Sequence, residues 1–222
     1  MAEEGLVLYA DLASQPCRAV IAFLKLAHIP FTLRVLSIRK REHKKLTGNL
    51  LGTLPYIEEK GFGLSESHAI FAYLLATRRC ADHWLPAEPK AQALCQQYLH
   101  WHPTSVRNLG FYLFWSFAAH QMGMKAPPGT AEEHWKKGRE ALNTLNTWLT
   151  LHPYIAGTEI SVADLSAVCE VAQLQLVPNL LASTLADLPQ VSKWFERVYN
   201  VPEVKAAHSV LEGISAKVRA RL

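Results

Sequence analysis

The order in which β-type and helical sequence patterns alternate over the first third of the chain constrains its fold more than any other feature. Short apolar runs and longer runs with helical period follow one another in the order β-α-β-α-β-β-α over residues 6–79. We expect strands at 6–10, 31–37, 55–59 and 62–64, helices at 16–28 and 67–79, and a short basic segment at 39–47. Helices that alternate with strands pack on the sheet that those strands form. The sequence therefore predicts an α/β layer of about four strands.

The remainder of the chain carries helical periodicity alone. We expect helices at 90–121, 131–151, 161–176, 187–199 and 203–220. Pro103 lies inside the first of these helices, where it removes a backbone hydrogen bond and should kink the chain. Residues 83–89 are interrupted by prolines and have little helical period, as is typical of a linker. We therefore predict an α/β domain over 1–82, a linker over 83–89 and an all-helical domain over 90–222.

Ser161 and Asp164 mark the start of one of the predicted helices. Their spacing is that of a capping box, with the shorter aspartate in the acidic position. We assign this pair a role in folding and no role in catalysis.

Composition and charge exclude several classes of protein. The net charge is +4, but much of the basic excess lies in residues 39–45, and no nucleic-acid-binding motif accompanies this run. The cysteines at 17, 80, 95 and 169 have neither close pairing nor a Cys-x-x-Cys motif, which argues against a zinc site and favours a reducing compartment. The acidic N-terminus lacks the pattern of a signal peptide, and the longest apolar run, 109–119, is shorter than the ~20 residues of a membrane span. We therefore expect a soluble protein with no metal site.

The string Ser14-Gln15-Pro16-Cys17-Arg18-Ala19-Val20 joins the first predicted strand to the first predicted helix. Pro16 suits the first turn of a helix, so the Ser14 hydroxyl should lie beside the exposed N–H groups at the positive end of that helix. Such a place can hold an anion, for example a thiolate. Two other interpretations stay open: Ser14 as a plain N-cap, and Ser14 as a hydrolase nucleophile, although the string lacks a Gly-x-Ser-x-Gly elbow.

Two further motifs give this string a family context. Thr53-Leu54-Pro55 precedes the third predicted strand, and Glu66-Ser67 opens the second long helix of the α/β domain. With the Ser14 string, they resemble the N-terminal, thioredoxin-like domain of glutathione transferases, and the use of serine resembles the theta class. This resemblance covers nearly the whole chain and implies the glutathione transferase fold, a thioredoxin-like domain followed by an all-helical domain.

The resemblance also implies which residues hold glutathione, the co-substrate. Glu66 would accept hydrogen bonds from the ammonium of the γ-glutamyl end, and Ser67 would bind its carboxylate. Leu54 would pair its backbone with the cysteinyl unit, next to a cis bond to Pro55. His43 and Lys44 stand where theta enzymes contact the glycyl carboxylate.

The segment between His43 and Gly52 departs from the family pattern. It is a few residues shorter, and Thr53 stands where a lysine is common. One positive charge and part of a helix are therefore missing, which predicts weaker glutathione binding unless Lys44 and Lys45 compensate.

The chemistry implied by the resemblance is thiol activation. Ser14 would donate a hydrogen bond to the sulfur of glutathione and favour its thiolate form, while Cys17 is interpreted as a packing residue. The thiolate would attack an electrophilic carbon or reduce an organic hydroperoxide, in a pocket lined by Arg107, Phe111 and Trp115. The alternatives are a binding or protein-interaction module that keeps the fold without turnover, and a carrier for apolar compounds.

Assembly and location are also expectations at this point. The family implies a homodimer in the cytoplasm that binds small apolar electrophiles, with no nucleic-acid or membrane partner. The final residues Ala220-Arg221-Leu222 resemble the small-basic-leucine peroxisomal address, so a second location in peroxisomes is an alternative.

Overall fold

The structure is a computed structural model in which residues 5–219 are described. The predicted peroxisomal address, Ala220-Arg221-Leu222, lies outside the described residues. Between residues 5 and 219, no helix is both long enough and apolar enough to cross a lipid bilayer.

Strand β1 (Val7–Ala10) lies inside the sheet of the first domain. It pairs in parallel with β2 (Thr32–Val35) and antiparallel with β3 (Tyr56–Glu59), and β3 forms a hairpin with β4 (Phe62–Ser65). The strand order is β2-β1-β3-β4. Parallel neighbours need a crossover connection, and helix α1 (Gln15–Leu26) provides it. The predicted α/β layer of four strands is confirmed.

Helix α1 lies between the two domains. It packs against α2 (Ser67–Thr77) of its own domain and against helices of the second domain, so most of its residues from Gln15 to Leu24 are buried. The loop that carries Ser14 precedes this helix directly and is therefore held at the domain interface.

The basic segment at 39–47 forms little regular structure. Its one helical element is a 3₁₀ turn, Glu42–Lys45. Arg41, the residue before this turn, has a left-handed backbone conformation (φ 59°). The Glu42 carboxylate accepts a hydrogen bond from the Ser37 N–H at 2.7 Å and so closes the loop on itself.

The described part of the second domain consists of helices and the loops that join them. Its α-helices are α3 (Pro89–Trp101), α4 (Asn108–Leu113), α5 (Thr130–Trp148), α6 (Val162–Ala172), α7 (Leu180–Leu185), α8 (Pro189–Tyr199), α9 (Pro202–Ala207) and α10 (Ser209–Arg219). Helix α6 is buried along its whole length, and α1, α3 and α8 pack around it. The predicted all-helical second domain is confirmed.

The prediction of one continuous helix over 90–121 is wrong. Helix α3 ends at Trp101, and the chain passes through a 3₁₀ turn (His102–Thr104) before α4 begins. Pro103 supplies no N–H to continue the α-helix, and the Ser105 hydroxyl bonds back to the Trp101 carbonyl at 2.7 Å, which ends the helix there. The break is larger than the expected kink, and it turns Arg107 toward the domain interface.

Two further helix predictions need correction. The helix expected over 203–220 is interrupted at His208, which separates α9 from α10. Helix α7 was not predicted, because six residues are too few to show helical periodicity.

Asp164 performs the folding role assigned to it. Its fully buried carboxylate accepts hydrogen bonds from the Ser161 N–H (2.9 Å) and hydroxyl (2.8 Å), from the Ile155 N–H (3.0 Å) and from the Trp194 indole (2.8 Å). One side chain therefore ties the start of α6 to the preceding loop and to α8.

His208 makes stability depend on pH. Burial and the nearby Arg18 lower the pKa of His208 to about 3, whereas an unfolded chain has a histidine pKa of about 6.5. As the pH falls below about 6.5, His208 binds a proton in the unfolded state and stays neutral in the folded state. Its contribution should therefore lower the free energy of unfolding by ~1.4 kcal/mol per pH unit. His208→Asn, which keeps a donor near the Val204 carbonyl, should remove that part of the slope. Urea unfolding between neutral pH and pH 5 measures both slopes, and equal slopes would refute the assignment.

Candidate active site

A cavity of about 260 Å³ lies where the first domain faces the second. The first domain contributes Pro16, Thr53, Leu54, Pro55, Glu66, Ser67 and His68. The second domain contributes His102, Pro103, Arg107 and Phe111. Three segments that are far apart in the sequence of the first domain therefore meet at one place, together with the break between α3 and α4.

The backbone before β3 is fixed by Asn49, which the sequence analysis did not single out. The Asn49 side chain donates to the Thr53 carbonyl at 2.8 Å and accepts from the Gly52 N–H at 3.0 Å. The peptide bond between Leu54 and Pro55 is cis. Asparagine three residues before a glycine is a common turn signal and could have indicated this brace.

Glu66 joins β4 to α2 in a strained conformation. Its backbone angles are φ 72° and ψ 112°, a region that residues with a side chain rarely adopt. Ser67 is the first residue of α2, so its N–H lies at the positive end of that helix. Backbone strain of this kind is concentrated at functional sites. An exposed carboxylate beside a helix N-terminus can bind a group that carries both an ammonium and a carboxylate.

Ser14 stands at the N-cap position of α1, but its hydroxyl makes no capping hydrogen bond within the described chain. The Cys17 thiol lies within hydrogen-bonding reach of this hydroxyl, and burial raises the pKa of Cys17 to about 11, so the thiol remains protonated. A hydroxyl can accept one hydrogen bond and still donate its own proton. Ser14 itself is not among the residues that line the cavity, but Pro16, two residues later in the first turn of α1, is.

His43 and Lys44 do not line the cavity of Glu66 and Ser67. They line a second cavity of about 630 Å³ together with Ile38, Arg39, Arg41, Met122 and Met124. The structure therefore separates the predicted glycyl contacts from the predicted γ-glutamyl contacts.

The Lys44 side chain lines the second cavity and also approaches Gly52. Its Nζ lies 2.8 Å from the place where a Cβ would stand on Gly52, next to the segment that leads to Thr53. His43 is buried, its Nδ1 has no hydrogen-bond partner among the described residues, and burial together with Lys44 lowers its pKa. A neutral His43 and cationic lysine and arginine side chains therefore surround this second cavity.

Behind two of the second-domain residues that line the cavity, Arg107 and His102, lies a buried carboxylate, Glu170, which no sequence motif indicated. Glu170 is 1% exposed and its Oε1 forms an ion pair with Arg107, with His102 Nε2 at 3.7 Å. Burial favours the neutral acid, but Arg107 and His102 outweigh it and hold the pKa of Glu170 below its ordinary value. Arg107 thus has the partner that an arginine flanked by apolar residues requires.

His68 extends this wall into the first domain. Its ring lies 5.3 Å from the His102 ring between centroids, and burial lowers its pKa to about 3, so it is neutral. A histidine directly after Ser67 was not considered in the sequence analysis. It brings a polar group to the cavity wall.

The aromatic residues predicted for the electrophile pocket divide between two places. Phe111 lines the cavity, and the Arg107 guanidinium lies 5.5 Å from its ring centroid. Trp115 lies in a π-helical turn, Phe114–Ala118, where its ring packs edge-on against Phe114 at 5.1 Å. Among the described residues, Trp115 is not part of the cavity wall.

No group of three or more histidine, cysteine, aspartate or glutamate side chains that could hold a metal ion occurs among residues 5–219. All four cysteines are free thiols.

Comparison with protein families identifies both halves of the chain. Residues 8–80 match the model of the glutathione S-transferase N-terminal domain, and residues 108–202 match that of the C-terminal domain.

Curated relatives and solved structures agree with this match. Glutathione S-transferase theta-2 of Rattus norvegicus is 36% identical over 87% of this chain and 80% of its own length. Glutathione S-transferase theta-2B of Homo sapiens is 34% identical over 95% of this chain and 88% of its own length. A human theta-class transferase in complex with the glutathione conjugate of 1-menaphthyl sulfate superimposes with a TM-score of 0.88 at 32% identity, covering 98% of this chain and 91% of the other. The chain therefore belongs to the glutathione transferase family and is an enzyme whose relatives are of the theta class.

Proposed function

We propose that this transferase binds glutathione along the Leu54, Glu66 and Ser67 wall of the interdomain cavity and that the Ser14 hydroxyl favours the thiolate of the bound peptide. The observation that carries the proposal is the meeting of three segments at one cavity: the first turn of α1, directly after Ser14, the segment before β3, and the strained start of α2. Each offers groups for a different part of glutathione.

The γ-glutamyl end fits the start of α2. Its carboxylate would bind the Ser67 N–H and hydroxyl at the positive end of the helix, and its ammonium would bind the exposed Glu66 carboxylate. The strained backbone of Glu66 supports this assignment, since it costs free energy that a plain helix start does not require.

The cysteinyl unit would lie between Leu54 and Ser14. The Leu54 backbone, held by the Asn49 brace, offers its N–H and C=O for strand-like pairing. The sulfur would then lie near the N-terminus of α1, where the Ser14 hydroxyl and the helix dipole both favour an anion. Free glutathione has a thiol pKa of about 8.5 and is mostly unreactive at neutral pH, so lowering this pKa is the catalytic task.

The glycyl end would extend toward Lys44, whose side chain approaches Gly52. Thr53 carries no positive charge, so Lys44 would be the cation that binds the glycyl carboxylate of glutathione. The shortened 43–52 segment and the separate cavity of His43 support weak rather than tight binding of the glycyl carboxylate.

The electrophile would enter from the wall of Arg107 and Phe111. The thiolate sulfur forms a bond to the electrophilic carbon, and the leaving group departs with the bonding electron pair. Arg107 would stabilise an anionic leaving group, because Glu170 holds its guanidinium at the cavity. In a second reaction of the same thiolate, two glutathione molecules would reduce an organic hydroperoxide to an alcohol and water and form glutathione disulfide.

Retention on immobilised glutathione and turnover of a halide, an epoxide and cumene hydroperoxide test this function. We expect retention of the full chain and turnover of at least one of the three substrates. Retention without any turnover would favour the non-catalytic binding module, and binding of apolar dyes alone would favour a carrier.

We also propose that two copies of the chain associate, with helix α2 of each facing the second domain of the other. Closed two-fold dimers are the commonest soluble oligomers. Light scattering at micromolar concentration should give twice the chain mass of 24.8 kDa, and a single-chain mass would contradict the proposal.

A further inference from the structure

Arg18 is a buried cation whose hydrogen-bond acceptors within residues 5–219 are carbonyl and amide oxygens, which carry no charge. Its side chain is 0% exposed. Its Nη1 donates to the carbonyls of Ala13 (2.8 Å) and Leu12 (3.2 Å), and its Nη2 donates to the Cys169 carbonyl (3.3 Å) and to Gln173 Oε1. Burying a charge without a partner of opposite charge is costly, so a residue of this kind needs a reason.

One of the Arg18 hydrogen bonds goes to Ala13, the residue that precedes Ser14. The Ala13 carbonyl accepts from Arg18 Nη1 and also, at 3.4 Å, from Gln173 Nε2. Because the peptide group is planar, fixing this carbonyl fixes the orientation of the Ser14 N–H and the place from which the Ser14 side chain starts. The second domain thus holds the Ser14 loop through one guanidinium and one amide.

The positive charge of Arg18 is little compensated by its surroundings. The titratable side chains around the guanidinium are Cys17, Cys169, Tyr199, Glu170 and His208. Burial raises the pKa values of the two thiols to about 11 and about 12, raises that of Tyr199 and lowers that of His208, so these four groups are neutral. Glu170 is the remaining charged group of this set, and it already pairs with Arg107.

We propose that Arg18 is the positioning residue of the thiol site: it fixes the loop that presents Ser14, and its uncompensated charge favours an anion bound beside Ser14. The inference rests on the proposed role of Ser14. It explains why α1 carries a buried charge on the side that faces α6, where an apolar residue would pack at lower cost.

Two variants separate the charge of Arg18 from its geometry. Gln173→Glu keeps an acceptor for Arg18 Nη2 and adds a carboxylate that neutralises the guanidinium. It gives up the long 3.4 Å hydrogen bond from Gln173 Nε2 to the Ala13 carbonyl but leaves the 2.8 Å bond from Arg18 Nη1 in place. Arg18→Lys keeps the charge but cannot bridge both domains with a planar fork. Gln175→Glu is the matched control, because it makes the same change in the same 3₁₀ turn, where Gln175 contacts Tyr199 and not Arg18.

The readout is the acid limb of the pH profile of kcat/KM together with the thiolate absorption of bound glutathione. For Gln173→Glu we expect the thiol pKa to rise by roughly one unit, the size of effect that a nearby charge has, with the rate at high pH retained. For Arg18→Lys we expect a lower kcat at every pH, with a smaller shift of the thiol pKa. Gln175→Glu should change neither kcat nor the thiol pKa of bound glutathione.

The outcomes separate this inference from the proposed function. A purely structural role for Arg18 would lower thermal stability and leave the thiol pKa of Gln173→Glu at the wild-type value, which would overturn the inference. If Gln173→Glu does not fold, a wild-type kcat for Arg18→Lys would overturn it instead. If Ser14→Ala shifts the thiol pKa and neither of these variants does, the inference fails and the role of Ser14 stands. If Ser14→Ala shifts nothing, the proposed function itself fails.

Discussion

Ser14→Ala is expected to lower conjugation at neutral pH by about ten- to a hundredfold. A hydrogen bond to a charged group contributes about 1.5–3 kcal/mol, and one pKa unit corresponds to 1.36 kcal/mol, so losing the bond should raise the thiol pKa of bound glutathione by roughly one to two units. The rate should recover at high pH, where the thiol ionises without help. Steady-state kinetics across pH measure the shift.

Glu66→Ala is the matched control for Ser14→Ala, because the contact proposed for Glu66 is to the γ-glutamyl end of glutathione and not to the sulfur. It should weaken glutathione binding and change the thiol pKa little, whereas Ser14→Ala should leave binding nearly intact. If both variants change glutathione binding and the thiol pKa in the same way, the assignment of the sulfur to Ser14 and of the γ-glutamyl end to Glu66 is wrong.

Asp164→Ala is expected to have the largest effect on stability. The change leaves the Trp194 indole and the N–H groups of Ile155 and Ser161 buried without their acceptor. Each buried unsatisfied donor costs about 1–3 kcal/mol, and the relief of removing a buried carboxylate offsets part of this, so we expect a net loss of about 3–5 kcal/mol. Because domains are stabilised by only about 5–15 kcal/mol, the melting temperature should fall markedly.

Asp187→Ala provides the comparison, since Asp187 is exposed in the turn before α8. Its effect should stay within about 0.5 kcal/mol, as for most surface substitutions. Urea unfolding of the two variants measures the difference. An equal loss of unfolding free energy in the two variants would show that the hydrogen bonds of the Asp164 carboxylate do not stabilise the fold.

The first domain could be predicted from the sequence because its signals are local. Strands β1, β3 and β4 and helices α1 and α2 each carry their own periodicity, and Pro16 marks a helix start by itself. The cis bond at Pro55 could be expected only from the family resemblance, because about one X-Pro bond in twenty is cis.

The wall of the site that faces the second domain could not be predicted, since its contacts join residues far apart in the chain. Arg107 and Glu170 are 63 residues apart, and Arg18 and Gln173 are 155 apart. An arginine flanked by apolar residues, as Arg107 is, needs a partner when it is buried, but the sequence does not indicate that Glu170 is this partner. The burial of Arg18 could not be predicted, because arginine is ordinarily an exposed residue.

The break between α3 and α4, at residues 102–107, shows that one proline can end a helix whose apolar periodicity continues. A helical period continues through Pro103, so the pattern predicted one helix with a kink. The loss of one N–H and the back-bonding of Ser105 instead end α3, and the turn that follows places His102 and Arg107 at the cavity. The separation of His43 and Lys44 from Glu66 could not be predicted either, because it depends on where the loop between β2 and β3 folds.

The thiol pKa of glutathione bound to the full chain tests the central claim most directly. Thiolate absorption in the ultraviolet, titrated from roughly pH 5 to pH 9, reports this pKa without a second substrate. We predict a midpoint about one to two units below the value of about 8.5 for a free thiol, and a midpoint close to the free value in Ser14→Ala. A midpoint equal to that of free glutathione in the unmodified chain would contradict the account.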